Sequence, residues 1–204
     1  MRQPAANSAP VVALLGSAGA GKSVVLGFFQ ELGAAVVDFD DYSRDLLQPG
    51  TPETEAVREA WGDAVVGPEE EVDRAALAEL IFSDEAARLH LESLLHPPML
   101  ERLREVVTEF REQPTAPALV VEGAILGQLA PELFDVLVLV STSRPIRAAR
   151  LRSKGLSGAS VEAVITLHRR LALDQAPANF VIDGGKSLGE VRGQVGHLWR
   201  ELLG

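Results

Sequence analysis

The stretch GSAGAGKS, residues 16–23, stands directly behind the apolar run VVALL. It reads G-x-x-x-x-G-K-S, with a strand-like segment before it and a helical pattern after it, and in that setting the motif is a phosphate cradle. The glycines let the backbone bend until successive N–H groups converge on phosphate oxygens. A helix starting near Gly21 points the positive end of its dipole at the same anion. The nucleotide contacts expected from this loop are Gly16, Ser17, Ala18, Gly19, Ala20, Gly21, Lys22, Ser23 and Val24. Lys22 places its charge on the β/γ-phosphates and Ser23 offers a hydroxyl to Mg²⁺. The other reading is a glycine-rich turn without function.

Such a loop needs a strand in front and a sheet to hold it. Five short apolar runs supply one: VVALL (11–15), AAVVD (34–38), ALVVE (118–122), VLVLV (136–140) and FVID (180–183). They are continuous rather than alternating, as parallel strands covered on both faces are. Helical patterns lie between them, and the first, SVVLGFFQELG, stops at Gly33. Alternation of strand and helix predicts an α/β fold with right-handed crossovers. The second gap is different. About eighty residues separate the runs at 34–38 and 118–122 and read as helices throughout. Within them Asp73 is a candidate helix cap, Ser83 is expected to open a helix, and His96-Pro97-Pro98 to break one. This segment is expected as a helical insert on the carboxyl side of the sheet, where open α/β sheets bind ligands.

Composition narrows the partners. The formal net charge of −10 argues against a general nucleic-acid binder, which needs a basic footprint. The chain has no cysteine, so disulfides and thiolate metal sites are out, and no apolar run is long enough to cross a bilayer. The expected location is cytoplasmic, with no membrane partner. The segment Asn-Lys-x-Asp, by which GTPases read their base, is absent, and 204 residues are few for a motor core with attachments. A small P-loop kinase fits better.

A kinase acting on an alcohol needs a group to take the hydroxyl proton. The second strand ends VVDFDD, which gathers Asp38, Asp40 and Asp41 beside the loop strand. Asp40 is the preferred base; Asp38 is placed at the strand edge or on a water of the Mg²⁺ shell. On spacing alone, Asp40 or Asp41 as a cap of the helix DYSRDLL is an equal alternative.

These residues resemble the dephospho-coenzyme A kinase family, and the resemblance runs well past the loop. The run ELGAAVVDFDDYSRDLLQPGTPETEAV is similar to the family's segment from the first helix through its Asp-x-Asp, whose second aspartate, the family's base, falls on Asp40. The run VDRAALAELIFSDEAARLHLESLLHPPM looks like the family's acceptor-domain signature, with Leu95-His96-Pro97 as its Leu-His-Pro. The resemblance implies ATP on the sheet, dephospho-coenzyme A on the helical insert and a short lid over the phosphates. His96 then reads as a structural or acceptor-side residue. The downstream half matches less closely. The family's Pro-Leu-Leu after the third strand is replaced by EGAILGQL, with Glu122 where proline is usual. Glu122 is either an acid holding a water of the Mg²⁺ shell or a plain strand-end residue.

After the fourth strand, SRPIRAARLRSKGLSG concentrates Arg144, Arg147, Arg150, Arg152 and Lys154. The spacing predicts Arg147, Arg150 and Lys154 on one helix face. Arg150 and Lys154 are the expected lid contacts, Arg150 neutralising charge on the transferring phosphoryl group, and Gly155 and Gly158 give a flexible tip. Further on, His168 stands near the family's Gln, Asn179 where Asp is common and Gly184 where Asn is common, in a segment that usually borders the adenine.

The expected fold is an α/β three-layer sandwich of P-loop kinase type, with a five-stranded parallel sheet, a helical acceptor-binding insert and a short lid. An N-terminal arm (1–10) precedes a core (11–45 and 115–204), an insert (46–114) and a lid (147–160). The expected reaction is ATP- and Mg²⁺-dependent phosphorylation of the ribose 3′-hydroxyl of dephospho-coenzyme A. The alternatives are a small-molecule or nucleoside kinase with another acceptor, or a weakly catalytic nucleotide-binding module.

Overall fold

The structure is a computed structural model and describes residues 9–204. Residues 1–8 of the expected arm lie outside the described residues; Pro10 is buried, and its carbonyl accepts from the Leu119 N–H.

All five apolar runs are strands: β1 (Val11–Leu15), β2 (Ala35–Asp38), β3 (Leu119–Glu122), β4 (Val136–Ser141) and β5 (Phe180–Asp183). They form one parallel sheet in the order β2-β3-β1-β4-β5, with Val11 opposite Leu119 and Val12 opposite Val136. The strand carrying the glycine loop is therefore central. Alternate residues of the strands, among them Val12, Leu14, Val120, Val138 and Val140, pack under α1 (Lys22–Glu31) and α9 (Leu188–Leu203), where Phe29 and Trp199 meet at 6.2 Å. The opposite face carries Leu15 against the short helix α6 (Leu126–Leu129); a Cβ on Gly127 would come within 2.9 Å of Leu15 Cδ1. Helix α1 stops as expected. Gly33 has φ +97°, its N–H donates to Gln30 O, and Ala34 N–H donates to Phe29 O. These two bonds satisfy carbonyls the helix end would otherwise leave open.

The chain divides into two compact units. One holds the residues up to Phe39 and from Arg104 onward, the other Asp40–Leu103. The second unit carries the rest of α2 (Phe39–Asp45), then α3 (Pro52–Trp61), α4 (Arg74–Ser83) and most of α5 (Glu85–Glu112). Thr51 and Asp73 cap α3 and α4, each side chain accepting from backbone N–H groups of the first turn. Between α3 and α4, Val66 and Val72 make an antiparallel bridge, a pairing the helical pattern did not foretell.

Two helix boundaries differ from the sequence reading. Ser83 closes α4 instead of opening the next helix. Its hydroxyl turns back to Glu79 O and Leu80 O, and Asp84 caps α5 through the Ala86 and Ala87 N–H groups. His96-Pro97-Pro98 does not break a helix: α5 continues through both prolines. Each proline forfeits one N–H bond, and a helix-interior proline costs about 3 kcal/mol. Against that stands an unbroken buried stripe, Leu91, Leu95, Met99, Leu103, Val107 and Phe110. Burying such side chains contributes about 1.5–3 kcal/mol each, so the stripe outweighs the two lost bonds.

Among the described residues, no helix is long and apolar enough to cross a membrane.

Candidate active site

The glycine loop turns from the carboxyl end of β1 into α1. Three of its glycines have positive φ: Gly16 (+142°), Gly19 (+78°) and Gly21 (+110°). Space is as restrictive as conformation. A Cβ on Gly16 would meet Val140 O at 2.4 Å, and one on Gly19 would meet Arg147 O at 2.9 Å. Gly21 is the N-cap of α1, so Lys22 and Ser23 open the helix and their N–H groups lie at the positive end of its dipole. Val24, also expected as a contact, follows them on the first turn and is exposed.

Lys22 is 8% exposed, and its Nζ stands 3.6 Å from Glu122 Oε1. Glu122 is the last residue of β3 and is itself 3% exposed. A buried ion pair of this kind seldom stabilises a fold relative to apolar residues of the same size. It stands beside the glycine loop, between the start of α1 and the end of β3. Ser23 Oγ is 3.5 Å from the same Glu122 oxygen, and carboxylate oxygens of Asp38 and Glu122 lie within 4.8 Å of one another. These are hard oxygen donors at a phosphate site, a set suited to Mg²⁺. Asp38 ends β2, in register with Glu122 on β3. Asp40 falls two residues later, in the first turn of α2 and in the second unit, and is half-buried.

The segment after β4 holds the loop from its other side. Helix α7 (Arg144–Ser153) carries Arg147, which is 4% exposed and gives Nη1 to both oxygens of Asp174 at 2.6 and 2.7 Å. Asp174 also accepts from Ser17 Oγ at 2.6 Å. Arg150 donates Nη1 to the carbonyls of Gly19 (3.1 Å) and Ala20 (2.9 Å) and Nη2 to that of Gly184 (2.8 Å). Of the three residues expected on one face, Arg147 is buried, Arg150 is half-buried, and Lys154 is the exposed C-cap of α7, its N–H donating to Arg150 O. Gly155 (φ +92°) ends the helix with the same two-bond motif as Gly33, through Gly155 N–H to Arg152 O and Leu156 N–H to Leu151 O.

His168, on α8 (Gly158–Arg170), is the residue that sequence reasoning undervalued. Its Nδ1 accepts from the Ala18 N–H at 3.1 Å. Burial, then the charges of Lys22 and Arg147, pull its pKa down from 6.5 to about 4, against a smaller opposing effect of Asp174. The imidazole is therefore neutral at ordinary pH, and with Nδ1 accepting, the proton sits on Nε2. No local pattern marks this role, because its partner Ala18 lies 150 residues earlier in the chain.

The segment at 168–184, expected to border the adenine, is split by the structure. His168, Asp174 and Gly184 sit at the loop; a Cβ on Gly184 would meet Ala20 O at 2.2 Å. Asn179 is at the other end of the sheet, one residue before β5. There its N–H donates to Leu137 O while its Oδ1 accepts from Leu137 N–H. It cannot border a nucleotide at the loop, because β5 separates it from Gly184. His96 is half-buried on α5 in the second unit.

Comparison with known proteins converges on one assignment. The family model described as dephospho-CoA kinase matches residues 10–190, nearly the whole chain. The chain belongs to the dephospho-CoA kinase family. A dephospho-CoA kinase of Leifsonia xyli subsp. xyli is 35% identical over 199 residues, covering 95% of this chain and 99% of the relative. One from Streptomyces avermitilis is 34% identical over 200 residues, covering 94% and 93%. Among solved structures, TT1252 from Thermus thermophilus superposes with a TM-score of 0.74 at 25% identity, covering 97% of this chain and all of that one. A shikimate kinase from Bacteroides thetaiotaomicron, at 15% identity and a TM-score of 0.55, shares the fold. The α/β architecture with an all-parallel five-stranded sheet is thus that of P-loop kinases, as the alternation of strands and helices predicts.

Proposed function

We propose that this member of the dephospho-CoA kinase family transfers the γ-phosphoryl group of ATP to the ribose 3′-hydroxyl of dephospho-coenzyme A. The single observation that carries this is the family match over residues 10–190, with a complete phosphate loop whose Lys22 is buried against Glu122. The acceptor oxygen attacks the γ-phosphorus, the bond to the β-phosphate oxygen breaks, and ADP leaves with the electron pair. The hydroxyl proton passes to the Asp40 carboxylate. Lys22 and the N–H groups at the start of α1 hold the β- and γ-phosphates, with the remaining loop residues shaping the cradle. Arg150 adds positive charge from its place on the loop carbonyls, and Lys154 extends it at the exposed end of α7. Ser23 Oγ, with Glu122 and Asp38 through water, would hold Mg²⁺, which supplies neutralisation of charge on the phosphates.

The test is ADP release from ATP with Mg²⁺, with and without dephospho-coenzyme A, for the native chain and for Asp40→Asn. Strong acceptor-dependent release, lost in the variant, is the expected result. ATP binding without acceptor-dependent release would overturn the substrate assignment and leave another acceptor or a nucleotide-binding module.

A further inference from the structure

Four consecutive residues of the glycine loop each give one polar group to the segment after β4. Ser17 Oγ goes to Asp174, the Ala18 N–H to His168, and the Gly19 and Ala20 carbonyls to Arg150. Three of these four contacts are made to a charged side chain, Asp174 or Arg150. The fourth is a neutral ring nitrogen on a backbone amide, and nothing in the chemistry of phosphoryl transfer calls for it.

An amide in such a loop has two uses. It can face the anion, or it can be turned away and tied down so that its neighbours face the anion. The Ala18 N–H is tied down. A loop rich in glycine has many accessible backbone states, and freezing them when the nucleotide binds costs affinity. A loop already frozen avoids that cost. Only an acceptor can hold an N–H, so the ring at 168 must keep its Nδ1 unprotonated. Its setting does this: burial and the adjacent cations Lys22 and Arg147 disfavour a second proton. Asp174, held by Arg147, fixes the preceding residue at the same time.

We propose that His168 is a positioning residue of the nucleotide site: its Nδ1 holds the Ala18 amide and, with Asp174 on Ser17, sets the outer turn of the loop before the nucleotide arrives. The proposal deepens the kinase reading and rests on it for the identity of the ligand. It predicts that the contribution of His168 appears in ATP affinity and not in the affinity for the acceptor.

The experiment compares His168→Phe, which keeps a ring and removes the acceptor, with His168→Asn, whose Oδ1 is bonded to Cγ as Nδ1 is. ATP affinity is measured by titration calorimetry without acceptor, and KM for ATP and for dephospho-coenzyme A and kcat are measured in turnover. His168→Phe is expected to weaken ATP binding about tenfold, the factor that one hydrogen bond is worth. KM for the acceptor should stay within twofold, and His168→Asn should recover most of the loss. Equal ATP affinity in Phe and Asn variants would overturn the proposal, as would equal changes in both KM values. Should the Phe variant fail to fold, ¹⁵N NMR of the native chain decides: an unprotonated Nδ1 at neutral pH coupled to the Ala18 amide is expected, and a protonated Nδ1 sinks the idea. Because calorimetry needs no acceptor, a chain that binds ATP but ignores dephospho-coenzyme A would refute the substrate and leave the role of His168 still measurable.

Discussion

The two ends of the sheet solve the same problem in opposite ways. At the amino end, polar side chains close on strand backbone. Asp135, one residue before β4, donates its N–H to Val11 O and accepts the Val11 N–H on Oδ2; Asn179, one residue before β5, does the same with Leu137. Arg111 then covers the free oxygen of Asp135 at 3.2 Å. At the carboxyl end, Lys22 and Glu122 close on each other beside the glycine loop, and Ser17 closes on Asp174. The first arrangement spends polarity on strand pairing. The second keeps charge under cover at a site meant for an anion. The lesson is that burial of a charged side chain means little until one asks what its partner is.

If that contrast holds, substitutions at the two ends separate activity from stability. The largest effects belong to the carboxyl end. Lys22→Ala should lower kcat at least about a hundredfold, the scale of one preorganised electrostatic group, and Asp40→Asn by a comparable factor or more, as loss of a proton acceptor does. Steady-state kinetics check both, and near-normal turnover in Lys22→Ala would remove the loop from the chemistry. Next comes the amino end. Asp135→Ala leaves the Val11 N–H without its acceptor and removes one partner of Arg111, which keeps its bond to Leu133 O, and should cost about 1–3 kcal/mol in urea unfolding while kcat stays within twofold. A matching loss of activity would erase the contrast.

A subtler effect is expected from His168. Its pKa in the folded chain, about 4, lies below the unfolded value of 6.5, so between these two values the unfolded state binds the extra proton. Stability should therefore fall as pH drops from about 6.5 to about 4, by up to about 1.4 kcal/mol per unit from this group, and level off below. The groups around the ring are Lys22, Arg147 and Asp174. His168→Asn should flatten that slope in denaturant titrations across the range; an unchanged slope would place the ring in solvent. Smallest of all, Glu31→Gln removes an ion pair with Arg192 in which both side chains are more than half exposed. It should shift stability by less than about 0.5 kcal/mol, which sets the floor for reading the other variants.

The sheet was legible from sequence because its strands are continuous apolar runs, and burial on both faces leaves that pattern little freedom. The loop was legible because its chemistry is local: glycine, lysine and serine at fixed spacing. Two kinds of information were not. Pro97 and Pro98 read as a break because local propensity says so, and only the buried stripe from Leu91 to Phe110 shows the outcome reversed. The contacts of His168 and Asp174 have no local signature, because their partners, Ala18 and Ser17, lie some 150 residues away in the chain. Asn179 and Gly184 are close in sequence but flank β5, so they lie at opposite ends of that strand, and only Gly184 sits at the loop.

The strand order has a consequence for how the chain is made. Residues 40–103 are contiguous and can gather their helices as soon as they leave the ribosome. The glycine loop cannot settle then, because β1 lies between β3 and β4 and pairs Val11 with Leu119 and Val12 with Val136. Closing those long loops is entropically slow, and parallel pairing across them is slower than local helix formation. The apolar β1 therefore waits through most of synthesis without neighbours on either side. That leaves β1, Val11–Leu15, as an apolar segment exposed until both of its neighbours have been made.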